Sequence, residues 1–130
     1  MKFSLVVHSS PISQQSAATA FRFAKTALEA GHEIFRVFYY GDGVLVANSQ
    51  IAPPQDEINL PEMWQALAKQ YDIDLVVCIA AAVKRGVLDD NEAKRYEKDS
   101  ANLVAGFELS GLGQLAEAIA LSDRVITFGA

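Results

Sequence analysis

Leu75-Val76-Val77-Cys78-Ile79 is the most strand-like run in this sequence of 130 residues. The run is apolar, uninterrupted and rich in β-branched residues, which is typical of a strand buried on both faces of a parallel sheet. It therefore predicts a central strand. Cys78, the only cysteine of the chain, falls near the carboxyl end of that strand.

Further apolar runs on either side predict four more strands, at residues 3–7, 33–40, 107–109 and 124–128. Between them, apolar residues recur with helical spacing over residues 17–28, 60–71 and 112–119. Gly31 is placed to end the first of these helices and Asn59 to cap the second. A further short and mostly polar helix is predicted from Asp90 to about Lys98, capped by Asp89.

The predicted order β-α-β-α-β-α-β-α-β favours an α/β protein with right-handed crossover connections and helices on both faces of its sheet. We therefore expect one domain over residues 1–130, a three-layer α/β/α sandwich around a mainly parallel five-stranded sheet. The glycines of Gly41-Asp42-Gly43 are expected to end the second strand. Residues 41–56 are then predicted to form an irregular excursion on the surface.

Composition narrows the classes of function. The hydrophobic share of 51% is more than a small domain easily hides, which predicts an oligomer. The net charge of -5 offers no broad basic surface for a phosphate backbone, so direct nucleic-acid binding is not expected. We find no signal-peptide pattern and no apolar run long enough to span a membrane, and we expect a cytoplasmic protein.

Cys78 is the candidate for chemistry, because working residues of open parallel sheets gather beyond the carboxyl ends of the strands. Lys84, Arg85 and Gly86 follow it closely, and their positive charge and flexible backbone suit an anionic sulfur. A free cysteine is also among the residues most often buried as a small hydrophobic group. From the residues alone, both interpretations stay open.

Other motifs give weaker signals. His8, after the first strand, could assist a sulfur on Cys78 if the two strands are neighbours. Gly111, Gly113 and Ala116 match a dinucleotide fingerprint but are interpreted as a tight turn, because the acidic residue that binds ribose would lie beyond the chain end. The serine-rich loop at residues 9–16 is interpreted as helix capping by Ser10 or Ser13 rather than as a flavin phosphate loop. No metal-ligand spacing is present, and no cofactor is expected.

Three segments together resemble the DsrE family, and the resemblance runs over nearly the whole chain. The most specific segment surrounds Cys78, and the other two precede and follow it. They read Asp74-Leu-Val-Val-Cys78-Ile-Ala-Ala-Ala-Val-Lys-Arg-Gly86-Val, Phe38-Tyr-Tyr-Gly-Asp-Gly-Val44 and Ser110-Gly-Leu-Gly-Gln-Leu-Ala-Glu-Ala118.

The resemblance implies that Cys78 is the catalytic residue of a sulfurtransferase and carries sulfur as a persulfide. It implies a heterohexamer with TusB-like and TusC-like subunits, a TusA-like sulfur donor and a TusE-like acceptor, serving 2-thiolation of the wobble uridine of tRNA. DsrE-type sulfur oxidation stays open as the pathway. A scaffold subunit without catalysis is a further alternative. The resemblance carries over no role for His8.

Overall fold

The computed structural model describes residues 1–129. Five strands form one sheet, in the spatial order β4-β3-β2-β1-β5, and every neighbouring pair is parallel. The strands are β1 (Lys2–Val7), β2 (Glu33–Tyr39), β3 (Asp74–Cys78), β4 (Phe107–Ser110) and β5 (Arg124–Phe128). The helices are α1 (Gln15–Glu29), α2 (Leu60–Tyr71), α3 (Ile79–Lys84), α4 (Asp90–Arg95) and α5 (Gly113–Leu121), with a 3-10 helix at Gly41–Ala47.

The predicted α/β fold with a five-stranded sheet is confirmed, and the sheet is entirely parallel. β3 has a strand on each side, although β2 is the middle strand of the five. Helix ends also follow the sequence signals. Gly31, at φ 90°, ends α1, with its N–H donating to the carbonyl of Leu28, and the Asn59 side chain accepts from the N–H of Glu62 at the start of α2.

One face of the sheet is covered by α1 and α2. There, the rings of Tyr39 of β2 and Trp64 of α2 pack at nearly a right angle, and Tyr39 also contacts Phe107 of β4. Tyr39 is fully buried, and burial raises the pKa of its phenol well above the ordinary value. This aromatic cluster closes the core on that side of the sheet.

Arg36, on the other face of β2, attaches α5 to the sheet. Its guanidinium contacts Asp74 of β3 at 2.6 Å, Glu117 of α5 at 3.0 Å and the Gln114 carbonyl at 2.8 Å. Burial by itself lowers the pKa of Arg36, but the hydrogen bonds to Asp74 and Glu117 outweigh it and raise the pKa above its usual value. One buried cation thus joins two strands and a helix.

The interpretation of residues 41–56 as a surface excursion is wrong for its first half. Gly41–Ala47 forms the 3-10 helix, and Val44, Val46 and Ala47 within it are buried. The prediction that Ser10 or Ser13 caps α1 is also wrong. Gln14 occupies the N-cap position without a side-chain capping bond, while the Ser10 hydroxyl accepts from the backbone N–H groups of Ile12 and Ser13 in the preceding turn.

Two segments near Cys78 differ from expectation as well. Ile79, predicted to end a strand, begins α3, so the chain turns directly from strand to helix at Cys78. The polar helix α4 starts after Asp89 as expected but ends at Arg95, and it buries Glu92 and Ala93. Within residues 1–129, no helix has the length and apolar character that a membrane crossing requires.

Candidate functional site

Cys78 lies at the carboxyl edge of the sheet, on the face covered by α5. Arg36 and Asp74 pair across β2 and β3 and touch on that face. Side chains on a strand alternate, so the second and fourth residues after each of them share the face. This places Tyr40 beside Cys78, and the pairing of Cys78 with Ser110 adds a third residue on the edge.

A cleft of about 380 Å³ opens over this edge. Its walls come from the end of β2, from α3 and from the turn before α5, and the lining includes Tyr40, Gly41, Lys84, Arg85 and Leu112. Cys78 is only 4% exposed and forms the floor of the cleft. Cys78 is therefore part of the buried core and at the same time borders an open cleft.

The two cations that follow Cys78 are in different situations. Arg85 contacts Asp42 at 2.8 Å and also donates to the carbonyl of Ala81, so its charge is already shared. Lys84 lines the same cleft and makes no ion pair within residues 1–129. Lys84 is thus the cation available to an anion in the cleft, while Arg85 fastens the 3-10 helix to α3.

His8 does not meet the condition set for it, because β2 separates β1 from β3. Its ring also lies toward β5. A Cβ placed on Gly129 would come within 2.5 Å of the imidazole Cε1. The condition under which His8 could assist a sulfur on Cys78 is therefore not met.

Gly111 of the fingerprint-like motif lies in the turn from β4 to α5 and Gly113 begins α5, which agrees with the interpretation as a tight strand-to-helix turn. The structure adds that Gly111 and Leu112 of this turn line the cleft above Cys78. Within residues 1–129 there is no cluster of three or more His, Cys, Asp or Glu side chains that could hold a metal.

Sequence reasoning missed Tyr40 and the turn at Gly111 and Leu112 as parts of the site. A signal for both existed. All strands of a parallel sheet end at the same edge, so residues that follow the second and fourth strands belong beside the residue that ends the third.

Comparison with known proteins gives consistent results over the full length. The model of the DsrE/DsrF-like family matches residues 1–128. The chain is 49% identical to the DsrE protein of Allochromatium vinosum over 99% of both chains. It is 49% identical to a "Sulfurtransferase TusD homolog" of Pseudomonas aeruginosa, covering 99% of this chain and 98% of the relative. It is 45% identical to "Sulfurtransferase TusD" of Proteus mirabilis, over 98% of both.

Among solved structures, the ychN protein of E. coli superposes with a TM-score of 0.79 over 98% of this chain and 99% of its own, at 21% identity. That likeness supports the fold. The family match over the whole chain and the relatives at 45% to 49% identity support the resemblance that the segment around Cys78 suggested. The chain belongs to the DsrE/DsrF-like family.

Proposed function

We propose that this chain is a cytoplasmic sulfurtransferase whose domain, residues 1–130, carries sulfur as a persulfide on Cys78. The observation that carries the proposal is the position of the only cysteine, on the floor of an open cleft at the carboxyl edge of a parallel sheet. Relatives named as sulfurtransferases, nearly half identical over the full length, support it.

The chemistry is two exchanges at sulfur. The Cys78 thiolate attacks the outer sulfur of a donor persulfide, and the donor's inner sulfur leaves as a thiolate. An acceptor thiolate then attacks the outer sulfur on Cys78. The outer sulfur moves to the acceptor, and Cys78 is released as a thiolate. No net oxidation occurs, and a lone cysteine suits the cycle because a second nearby thiol would displace the carried sulfur and form a disulfide.

The charges around the cleft suit this cycle. Among residues 1–129, Lys84 is the cation of the cleft that makes no ion pair, and it can accompany the negative charge that moves with the persulfide. The ion pair of Arg85 with Asp42 holds the wall formed by Gly41 in place. Lys84 is therefore proposed to act on the anion, and Arg85 on the shape of the cleft.

For the pathway, we propose a TusA-like donor and a TusE-like acceptor, with 2-thiouridine at the tRNA wobble position as the product. The relative named DsrE is as similar to this chain as the Pseudomonas TusD homolog, at 49% identity each. A DsrE-type role in sulfur oxidation is accordingly the second candidate. Both use Cys78 in the same way.

The first test is direct loading of the purified protein. A cysteine desulfurase, a TusA-like carrier and labelled cysteine should place one sulfur atom on the peptide that contains Cys78, as seen by mass spectrometry. Omission of the carrier is the control and should lower the loading. Label on another peptide, or no label, would contradict the proposed function.

The outer surface of α5 is the part of the molecule best suited to the proposed TusB-like and TusC-like subunits. Leu112, in the turn just before this helix, and Ile119 and Leu121 on the helix are large apolar residues, and each is more than half exposed. Large apolar side chains exposed close together mark an interaction surface. Because Leu112 also lines the cleft, a subunit bound there would help to enclose Cys78.

An Ile119→Asp variant is expected to abolish this assembly without unfolding the chain. Ile119 is 57% exposed, so the isolated fold loses little, whereas an unpaired carboxylate at an apolar interface is costly. Co-expression with the partner subunits, followed by size-exclusion chromatography with light scattering, measures the effect. Ile12→Asp, at a 70% exposed residue of the loop before α1, is the matched control. Equal assembly of the Ile119→Asp variant would exclude the α5 surface.

A further inference from the structure

Tyr40 is the aromatic residue next to Cys78 on the edge of the sheet. The pairing of β2 with β3 ends at Tyr39 and Val77, and the next residue along each strand is Tyr40 and Cys78. Neighbouring strands lie about 4.8 Å apart, so the two side chains start side by side. Both line the same cleft.

The two side chains differ in exposure. Cys78 is nearly buried, whereas Tyr40 is 47% exposed. A persulfide adds a second sulfur about 2 Å beyond the first. A persulfide that extends from Cys78 into the cleft therefore brings its outer sulfur closer to the exposed Tyr40 side chain than the buried thiol lies.

The Tyr40 hydroxyl is available for such a contact. In the part of the chain that the structure describes, residues 1–129, the side-chain hydrogen bonds beside the cleft are those of Arg85 to Asp42 and to the Ala81 carbonyl, and neither uses this hydroxyl. The backbone under Tyr40 is fixed, because its N–H donates to the Val7 carbonyl at 2.9 Å. A phenol held on a rigid strand end is a good donor to an anion.

We propose that the Tyr40 hydroxyl donates a hydrogen bond to the outer sulfur of the persulfide on Cys78. This contact favours the protein that carries the persulfide over the protein with a sulfur-free Cys78. This inference rests on the proposed sulfur-carrier function and assigns a second residue to it. The exchange is Cys78–S⁻ plus a donor persulfide, giving Cys78–S–S⁻ plus the donor thiol. Only the right-hand side gains the contact with Tyr40.

The test compares wild-type protein with Tyr40→Phe, which keeps the ring and removes the hydroxyl. Each protein is equilibrated with glutathione persulfide and glutathione at a series of ratios. Intact mass then gives the fraction of protein that carries one added sulfur atom. Loss of a hydrogen bond to a charged group lowers an equilibrium constant roughly tenfold, so the constant for sulfur exchange should fall about tenfold in the variant. Tyr71→Phe, at the far end of α2, is the matched control and should equal wild type.

Alkylation by iodoacetamide of Cys78 without bound sulfur separates the effect of the hydrogen bond from a change in the shape of the cleft. Tyr40→Phe should react at the wild-type rate, because the contact exists only in the persulfide. The role of Tyr40 would be overturned if the exchange constant of the variant is unchanged, or if its alkylation rate falls by the same factor as its exchange constant. Either result would leave the sulfur-carrier function standing. A wild-type protein that takes up no sulfur would instead overturn the function, and this inference with it.

Discussion

A Cys78→Ser variant is expected to fold like the wild-type protein and to carry no sulfur. A hydroxyl replaces the thiol with little change in shape, so at this nearly buried position the cost in stability should be about 1 kcal/mol. A serine oxygen cannot hold a persulfide, so uptake from a donor should be absent. Labelled-sulfur transfer and thermal unfolding measure the two effects.

This variant has an internal control, since the chain contains no second cysteine to take over. Label that stays on the Cys78→Ser protein would have to be non-specific. Restored tRNA thiolation in cells that lack the native gene would show that Cys78 is structural. That result would favour the scaffold alternative, in which the apolar surface serves assembly alone.

A Gly43→Ala variant is expected to lose about 3 kcal/mol of stability, which lowers the melting temperature by about 10 °C. The 3-10 helix crosses the end of β1 so closely that a Cβ on Gly43 would lie 2.2 Å from the Val7 carbonyl oxygen. Neither side can yield easily, because both are backbone and that oxygen accepts from the Tyr40 N–H.

The matched control is Gly113→Ala, the same change at a position with no atom within 4 Å of the added Cβ. Alanine is favoured over glycine in a helix, so this variant should melt at or slightly above the wild-type temperature. Thermal unfolding followed by circular dichroism compares the three proteins. A Gly43→Ala protein that melts within about 2 °C of wild type would refute the close approach.

Much of the fold could be predicted because its signals are local. The run at residues 75–79 predicted an internal strand, and the helical spacing from Leu60 to Tyr71, with its Asn59 cap, matched α2 at both ends. The 3-10 helix was missed because its seven residues, two of them glycine, show no clear period. α3 was missed because Ile79 continues the apolar run of the strand without a break.

The site was predictable only in part. The cleft is lined by three residues that lie close together in the chain, Cys78, Lys84 and Arg85. What sequence reasoning could not provide was the pairing of Arg85 with Asp42, which lies more than forty positions earlier in the chain. That contact depends on two helices meeting over the sheet edge, and it changes Arg85 from a free charge into a structural one.

Burial patterns and helix caps act within a few residues, so a parallel α/β fold with its one thiol at the end of an internal strand follows from local sequence alone. Which strand ends are neighbours follows only from the packed fold. The order β4-β3-β2-β1-β5 brings Tyr40 to Cys78 and moves His8 away from it. Strand order depends on how helices cross and cover the sheet, and those contacts between distant residues leave no local pattern.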